Sequence, residues 1–291
     1  MSDILFSPVL LSLGASFLFG VMVIFAKLAL RHLEPFTAAR RTIGVTVLFF
    51  WALLPLFFRL EELVWPGILV FAVVGLFQPV LSMAFSFEAT RSLGPTVSAT
   101  VSSISPIFAM GGAALLLGEV VTLPIFLGTL GVVGGVIVLS WQGAVRREWA
   151  LSALLFPLAT AAIRGFGNLG TRYGIELLPN VVLAGAVAYT VSFLMAQLLR
   201  KFKPAARPQP FTMASLWPVV AAGIGNGLAM LLLILALKHG QVVVVIPIVS
   251  SSPLVTLLFS LLWLPQEALS PRMLVAMLLI MPSIAMIGLA S

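Results

Sequence analysis

The 291-residue chain has no cysteine, one aspartate (Asp3), two histidines (His32 and His239) and only 9% charged residues. Without cysteine it forms no disulfide, holds no metal through thiolates and has no thiol nucleophile. So few charges exclude a water-soluble surface, which ordinarily carries roughly a quarter to a third charged residues. The strings HExxH and GxSxG are missing, and one aspartate cannot supply a pair inside a membrane, so no intramembrane enzyme can be assembled from familiar parts. No cofactor and no metal are expected.

What is present is apolar: 61% of residues are hydrophobic. Long apolar runs cover residues 4–26, 42–58, 63–87, 92–118 and 120–145, then 149–171 (interrupted by Arg164), 177–199, 208–237, 239–266 and 273–291. Each meets the need for about 20 apolar residues per crossing. None alternates with period two, which excludes a transmembrane barrel. The expected fold is an all-α polytopic membrane protein of ten transmembrane helices. The opening MSDILFSPVL has no basic segment and no small-residue cleavage site, so the first span is expected to be retained.

The net charge of +7 does not point to nucleic acid, because the cations sit in short connections where they set topology. Odd-numbered connections hold Arg31, Arg146, Arg147, Arg200, Lys201, Lys203, Arg207 and Arg272, whereas even-numbered ones hold Arg59 and Lys238. That bias predicts cytoplasmic odd connections and both termini outside. The expected location is a bacterial-type inner membrane, the bilayer being one partner and a small molecule the other.

A hydroxyl-rich string ending in proline occurs twice, VSATVSSISP at 97–106 and VVIPIVSSSP at 244–253. Gly94 aligns with Gly240, Pro106 with Pro253 and Glu119 with Glu267, at offsets of 146, 147 and 148. FGVMVIFAK at 19–27 overlies RGFGNLGTR at 164–172, pairing Gly20 with Gly165 and Lys27 with Arg172, and Gln78 falls near Asn226. Residues 1–145 and 146–291 therefore read as two five-helix repeats. Five is odd, so the second repeat enters from the opposite side, as in secondary transporters that expose a midplane site alternately to each face.

The chain resembles the ten-helix EamA-type permeases of the drug/metabolite transporter superfamily. The resemblance rests on the proline and glutamate of SPIFAMGGAALLLGE and SPLVTLLFSLLWLPQE, the basic residues ending spans one and six, and Arg40 or Arg41 opening span two. It covers essentially the whole chain. It implies a proton-linked or facilitated exporter of amino acids, other small metabolites or drugs, with a central cavity between the repeats. Members of that family usually keep their termini in the cytoplasm, opposite to the charge count here.

Arg164 lies 15 residues past Trp149, about 22 Å along a helix and thus near mid-membrane. An arginine there costs about 2.5–3.5 kcal/mol and should face protein or water, with Asn168 and Arg172 on the same face. It suits a carboxylate, or else a structural ion pair with Glu88 or Glu176. Gln78 and Asn226 place amides in spans three and eight, as cavity lining or as hydrogen-bonded helix bridges. Ser98, Ser102 and Ser105 form one stripe of span four, and Pro106 and Pro253 mark a kink or break. Phe19 and Phe77 are candidates for contact with an aromatic or apolar substrate, against lipid or core contact. For coupling, the candidates are Glu88, which could also pair with Arg91, and His239, which could cap a loop. Lys27 and Arg172 could gate or merely snorkel. Glu119 and Glu267 read as helix-end residues. The first span contains no carboxylate for a lipophilic cation, leaving a proton-coupled exporter of drugs or organic cations as the alternative to amino acid export. Gly131 with Gly135 and Gly223 with Gly227 allow close helix contact within or between chains, and the expected state is a monomer or weak homodimer.

Overall fold

A computed structural model describes residues 7–58, 63–93, 95–140, 151–202, 212–263 and 271–290. Its helices are α1 (Pro8–Ala29), α2 (Pro35–Phe57), α3 (Trp65–Phe77), α4 (Val80–Leu93), α5 (Pro95–Ser102), α6 (Ser105–Leu116), α7 (Leu123–Ser140), α8 (Leu155–Leu177), α9 (Val181–Phe202), α10 (Met213–His239), α11 (Val242–Val249), α12 (Ser252–Trp263) and α13 (Pro271–Leu289). Pairs α3/α4, α5/α6 and α11/α12 are the broken third, fourth and ninth spans, so the described helices make ten crossings. Gly94, Glu267, Trp141, Trp149, Asp3 and the cations Arg59, Arg146, Arg147, Lys203 and Arg207 lie outside the described residues.

Proline sets many of the helix starts. It occupies the first position of α1, α2, α5 and α13 and the second of α3, α6, α7 and α12, where its missing N–H has no intrahelical acceptor and its fixed φ already suits a helix. This corrects the expectation that Arg40 or Arg41 opens the second span. Pro35 starts that helix earlier and puts both arginines inside it. It also corrects the sixth span, which begins at Leu155, so Arg164 lies about 14 Å along a helix of about 34 Å. Span three runs on to Leu93, leaving Glu88 in its last two turns, and His239 closes α10 rather than preceding span nine.

Eight spans close a ring. In order of contact it runs two, seven, three, six, four, nine, one, eight and back to two. Spans five and ten (α7 and α13) pair with each other outside it, against spans four and nine. The two repeats meet in the same way on both sides. Gly20 of α1 sits against the Ser252 carbonyl, where a Cβ would come within 2.8 Å, and its repeat partner Gly165 of α8 sits against the Ser105 carbonyl, where a Cβ would come within 3.0 Å. Ser252 and Ser105 are the first residues of the half-helices α12 and α6.

The glycines found at four-residue spacing all serve contacts within the chain. Gly131 and Gly135 face Ser283 and Ile280 of α13, and Gly223 and Gly227 face Val45 and Phe49 of α2. With no apolar driving force between helices in lipid, such close approach is what holds an outer helix in place. A Cβ at Gly135 would meet the Ile280 side chain and lie 3.2 Å from the Ala276 carbonyl. Gly135→Val is therefore expected to weaken the α7–α13 pair by about 1–3 kcal/mol, read as a lower Tm of the purified protein, with Gly134→Val as the control because nothing lies near its Cβ. Equal Tm for the two variants would refute this packing.

Candidate functional site

By length and apolarity, nine spans among the described residues qualify as membrane crossings unaided, and α8 does not. It is the span that carries Arg164, Arg172 and Glu176. Span six is one of the eight that close the ring, so these charges sit within the framework itself.

The faces of α8 are fixed by its neighbours. Gly165 and Leu169 pack on α6, while Gly167, Gly170 and Gly174 pack on Gln78, Val74 and Phe71 of the third span. Phe166 lies about 160° from Arg164 around the helix. It is exposed in an apolar outer groove of about 550 Å³ that includes Leu69, Val73, Phe77 and Ile163. Arg164 lies on the opposite face, flanked by the buried residues Thr160, Ala161, Gly165 and Thr171. Its side chain is exposed on that face, between these buried neighbours. Among the described residues Arg164 has neither a carboxylate within ion-pair distance nor a hydrogen-bond partner. Glu176 pairs with Arg172 at 3.0 Å and Glu88 with Arg91 at 2.6 Å. The structural ion pair with Glu88 or Glu176 is therefore not formed.

Asn168 shares the inner face of Arg164 and is half-buried. Ser102 lies 8% exposed, just before the break between α5 and α6, with its Oγ lacking a partner among the described residues. Ser98 is buried and takes a 3.3 Å hydrogen bond from Thr90. Ser105 is buried too, but the break at Ser103 and Ile104 interrupts the periodicity that joined it to the other two serines. Pro106 and Pro253 directly follow the breaks of spans four and nine.

Other candidates lie elsewhere. The Gln78 side-chain amide donates to the Ile163 carbonyl at 3.4 Å, bridging spans three and six, and the Gln78 backbone carbonyl accepts from the Ser192 hydroxyl of span seven at 3.2 Å. Asn226 donates to Thr46 Oγ1 at 3.2 Å and to Tyr189 Oη at 2.9 Å, bridging spans eight, two and seven. Both amides thus take the helix-bridging alternative. Phe77 faces the outer groove, away from Arg164, and Phe19 packs against the main apolar core beside α1. Lys27 and His239 are exposed at helix ends, and Arg172 is occupied by Glu176.

Three features escaped sequence reasoning. Tyr189, one of only two tyrosines, is buried and stacks on Phe50 at 5.7 Å. Ser16 and Ser251 share a buried 3.1 Å hydroxyl contact between spans one and nine. Glu119 does more than end a helix: its two carboxylate oxygens accept the Val242 and Val243 N–H groups, each at 2.9 Å, at the start of α11.

The ring is asymmetric. Span six crosses it to touch α10 and α11, but the repeat-related contacts of span one with span three and with α5 have no comparable counterpart. Because α11 occupies only the half of the membrane next to the connection between spans eight and nine, the closure lies on the face that carries both termini. Toward the opposite face the described residues make no such contact between span one and span three or α5.

A family model, described as that of the EamA-like transporter family, matches the chain over residues 6–141 and again over 151–289. One solved crystal structure of a protein superposes with a TM-score of 0.82 at 20% identity, covering 97% of this chain and 96% of that one. At that identity the likeness concerns the fold. No curated protein matches the chain.

Proposed function

Since this chain belongs to the EamA-like transporter family, and is a multi-pass membrane transporter of the drug and metabolite type, we propose that it exports amino acids, aromatic and apolar ones included, or similar small carboxylate-bearing metabolites. The observation that carries this reading is Arg164, a cation near the middle of span six, on the inner face of α8, with no carboxylate among the described residues to neutralise it. Its neighbour Gly165 rests on the first residue of α6, so the positive end of that half-helix lies beside it. Two positive features at one depth favour a carboxylate, which a guanidinium can bind bidentately. Asn168 on the same face of span six, and the Ser102 hydroxyl of span four, which has no partner among the described residues, are further polar groups for such a ligand.

Alternating access is supported by the asymmetry of the ring, since a symmetric scaffold closed at one face only is half of a rocking cycle. Taken with the lysine and arginine bias, the closed face is outside with both termini and the opposite face is cytoplasmic. The alternative, proton-coupled export of drugs or organic cations, would depend on Glu88, which is engaged by Arg91 and Ser92 near a helix end.

Counterflow in proteoliposomes preloaded with single substrates separates the two. Exchange of at least one amino acid, and none of lipophilic cations, is expected. Exchange of cations alone would overturn the carboxylate reading and move attention to Glu88.

A further inference from the structure

Arg40 of α2 and Arg200 of α9 meet where these two helices pack. Arg40 Nη1 donates to Gln197 Oε1 at 2.9 Å, and Arg200 lies three residues on, on the adjoining face. Arg41 follows Arg40, and the charges of both Arg41 and Arg200 act on Arg40. Two guanidinium groups, those of Arg40 and Arg200, thus lie at one seam. Among the described residues no carboxylate forms an ion pair with Arg40 or Arg200. Two like charges side by side are unfavourable, and an anion bound between Arg40 and Arg200 would relieve them.

The depth of the pair is that of lipid headgroups. Arg40 is five residues into α2, about 8 Å from its start, and Arg200 is two residues from the end of α9, about 3 Å. Trp217, exposed four residues into α10 and in edge contact with Phe25, marks the interface on the same face. Deeper along the outer side of the seam the surface turns apolar: Leu48 and Trp51 of α2 and Leu194 of α9 are exposed, as is Leu198 beside Gln197. Trp51 is held across the seam by its Nε1 donating to Thr190 at 3.0 Å.

We propose that the seam between α2 and α9 binds an anionic phospholipid, its phosphate on Arg40 and Arg200 and its acyl chains along Leu48, Trp51 and Leu194. Guanidinium groups suit phosphate geometry, and basic pockets between membrane helices are recognised sites for anionic headgroups. Charge alone would accept any phosphate. The exposed apolar surface continuing below the cations is what selects a lipid over a free anion.

Native mass spectrometry of the purified full chain with phosphatidylglycerol or phosphatidylcholine tests this. One phosphatidylglycerol should be retained in preference to phosphatidylcholine, and Arg40→Gln/Arg200→Gln should weaken its binding roughly 10- to 30-fold. Arg31→Gln/Arg272→Gln, which removes the same charge elsewhere on that face, should leave it unchanged. Equal loss in the two double variants would overturn the site, reducing it to general surface charge. Displacement of the lipid by inorganic phosphate would overturn the lipid as occupant. The comparison of the two lipids on the wild type needs no variant to fold, and the absence of any preference there would also end the proposal.

Discussion

Arg164→Ala is expected to reduce amino acid counterflow by about 10- to 100-fold, the loss of a charge-assisted contact worth roughly 1.5–3 kcal/mol. The same substitution should leave Tm and membrane yield unchanged or raised. Arg164 has no partner to lose among the described residues, and an arginine at the helix centre costs about 2.5–3.5 kcal/mol to keep in a membrane. A structural arginine would behave in the opposite way, lowering stability when removed. Arg164→Lys keeps the charge without the planar fork, so it should recover part of the flux at a raised KM. Wild-type flux in the alanine variant would remove Arg164 from the substrate site. A fall in stability parallel to the fall in flux would return it to a structural role.

The apolar spans and the sharing of one helix face by Arg164 and Asn168 were legible in the sequence because each rests on local periodicity. An apolar run of about 20 residues needs no partner to be recognised, and a four-residue spacing places Asn168 beside Arg164 wherever the helix packs. The exact helix starts were less legible. Charge-free runs ignore proline, so the second span was expected to start beyond Arg40 and Arg41, whereas Pro35 starts it before them. The roles of the two amides depended on contacts that sequence spacing does not encode. Asn226 meets Thr46 and Tyr189 across separations of 180 and 37 residues, so no local pattern announces the bridge. Phe77 reads as a neighbour of Gln78 along the chain, yet the break after Gln78 leaves it in the outer groove. The order of the ring was not legible either, since glycine seats such as Gly20 against Ser252 connect opposite repeats.

Glu119 carries the second large expectation. Helix α11 is only eight residues long and its residues Val242 to Ile248 are all buried, so its first N–H groups have little access to water. The Glu119 carboxylate satisfies two of them, and its charge opposes the positive end of the helix. Glu119→Ala removes two hydrogen bonds to a charged group, each worth about 1.5–3 kcal/mol, and should lower Tm well below that of Glu119→Gln, which retains one acceptor. The effect should reach transport as well, because α11 is one of the two elements that span six touches where the ring is closed. Loosening α11 is expected to open that face. The absence of native cysteine makes the check direct: a single cysteine at Asn168 should be labelled by a membrane-impermeant reagent from the opposite face alone in the parent protein, and from both faces once Glu119→Ala is added. Labelling confined to one face in both proteins, with unchanged Tm, would mean that the Glu119 contact neither anchors α11 nor governs closure.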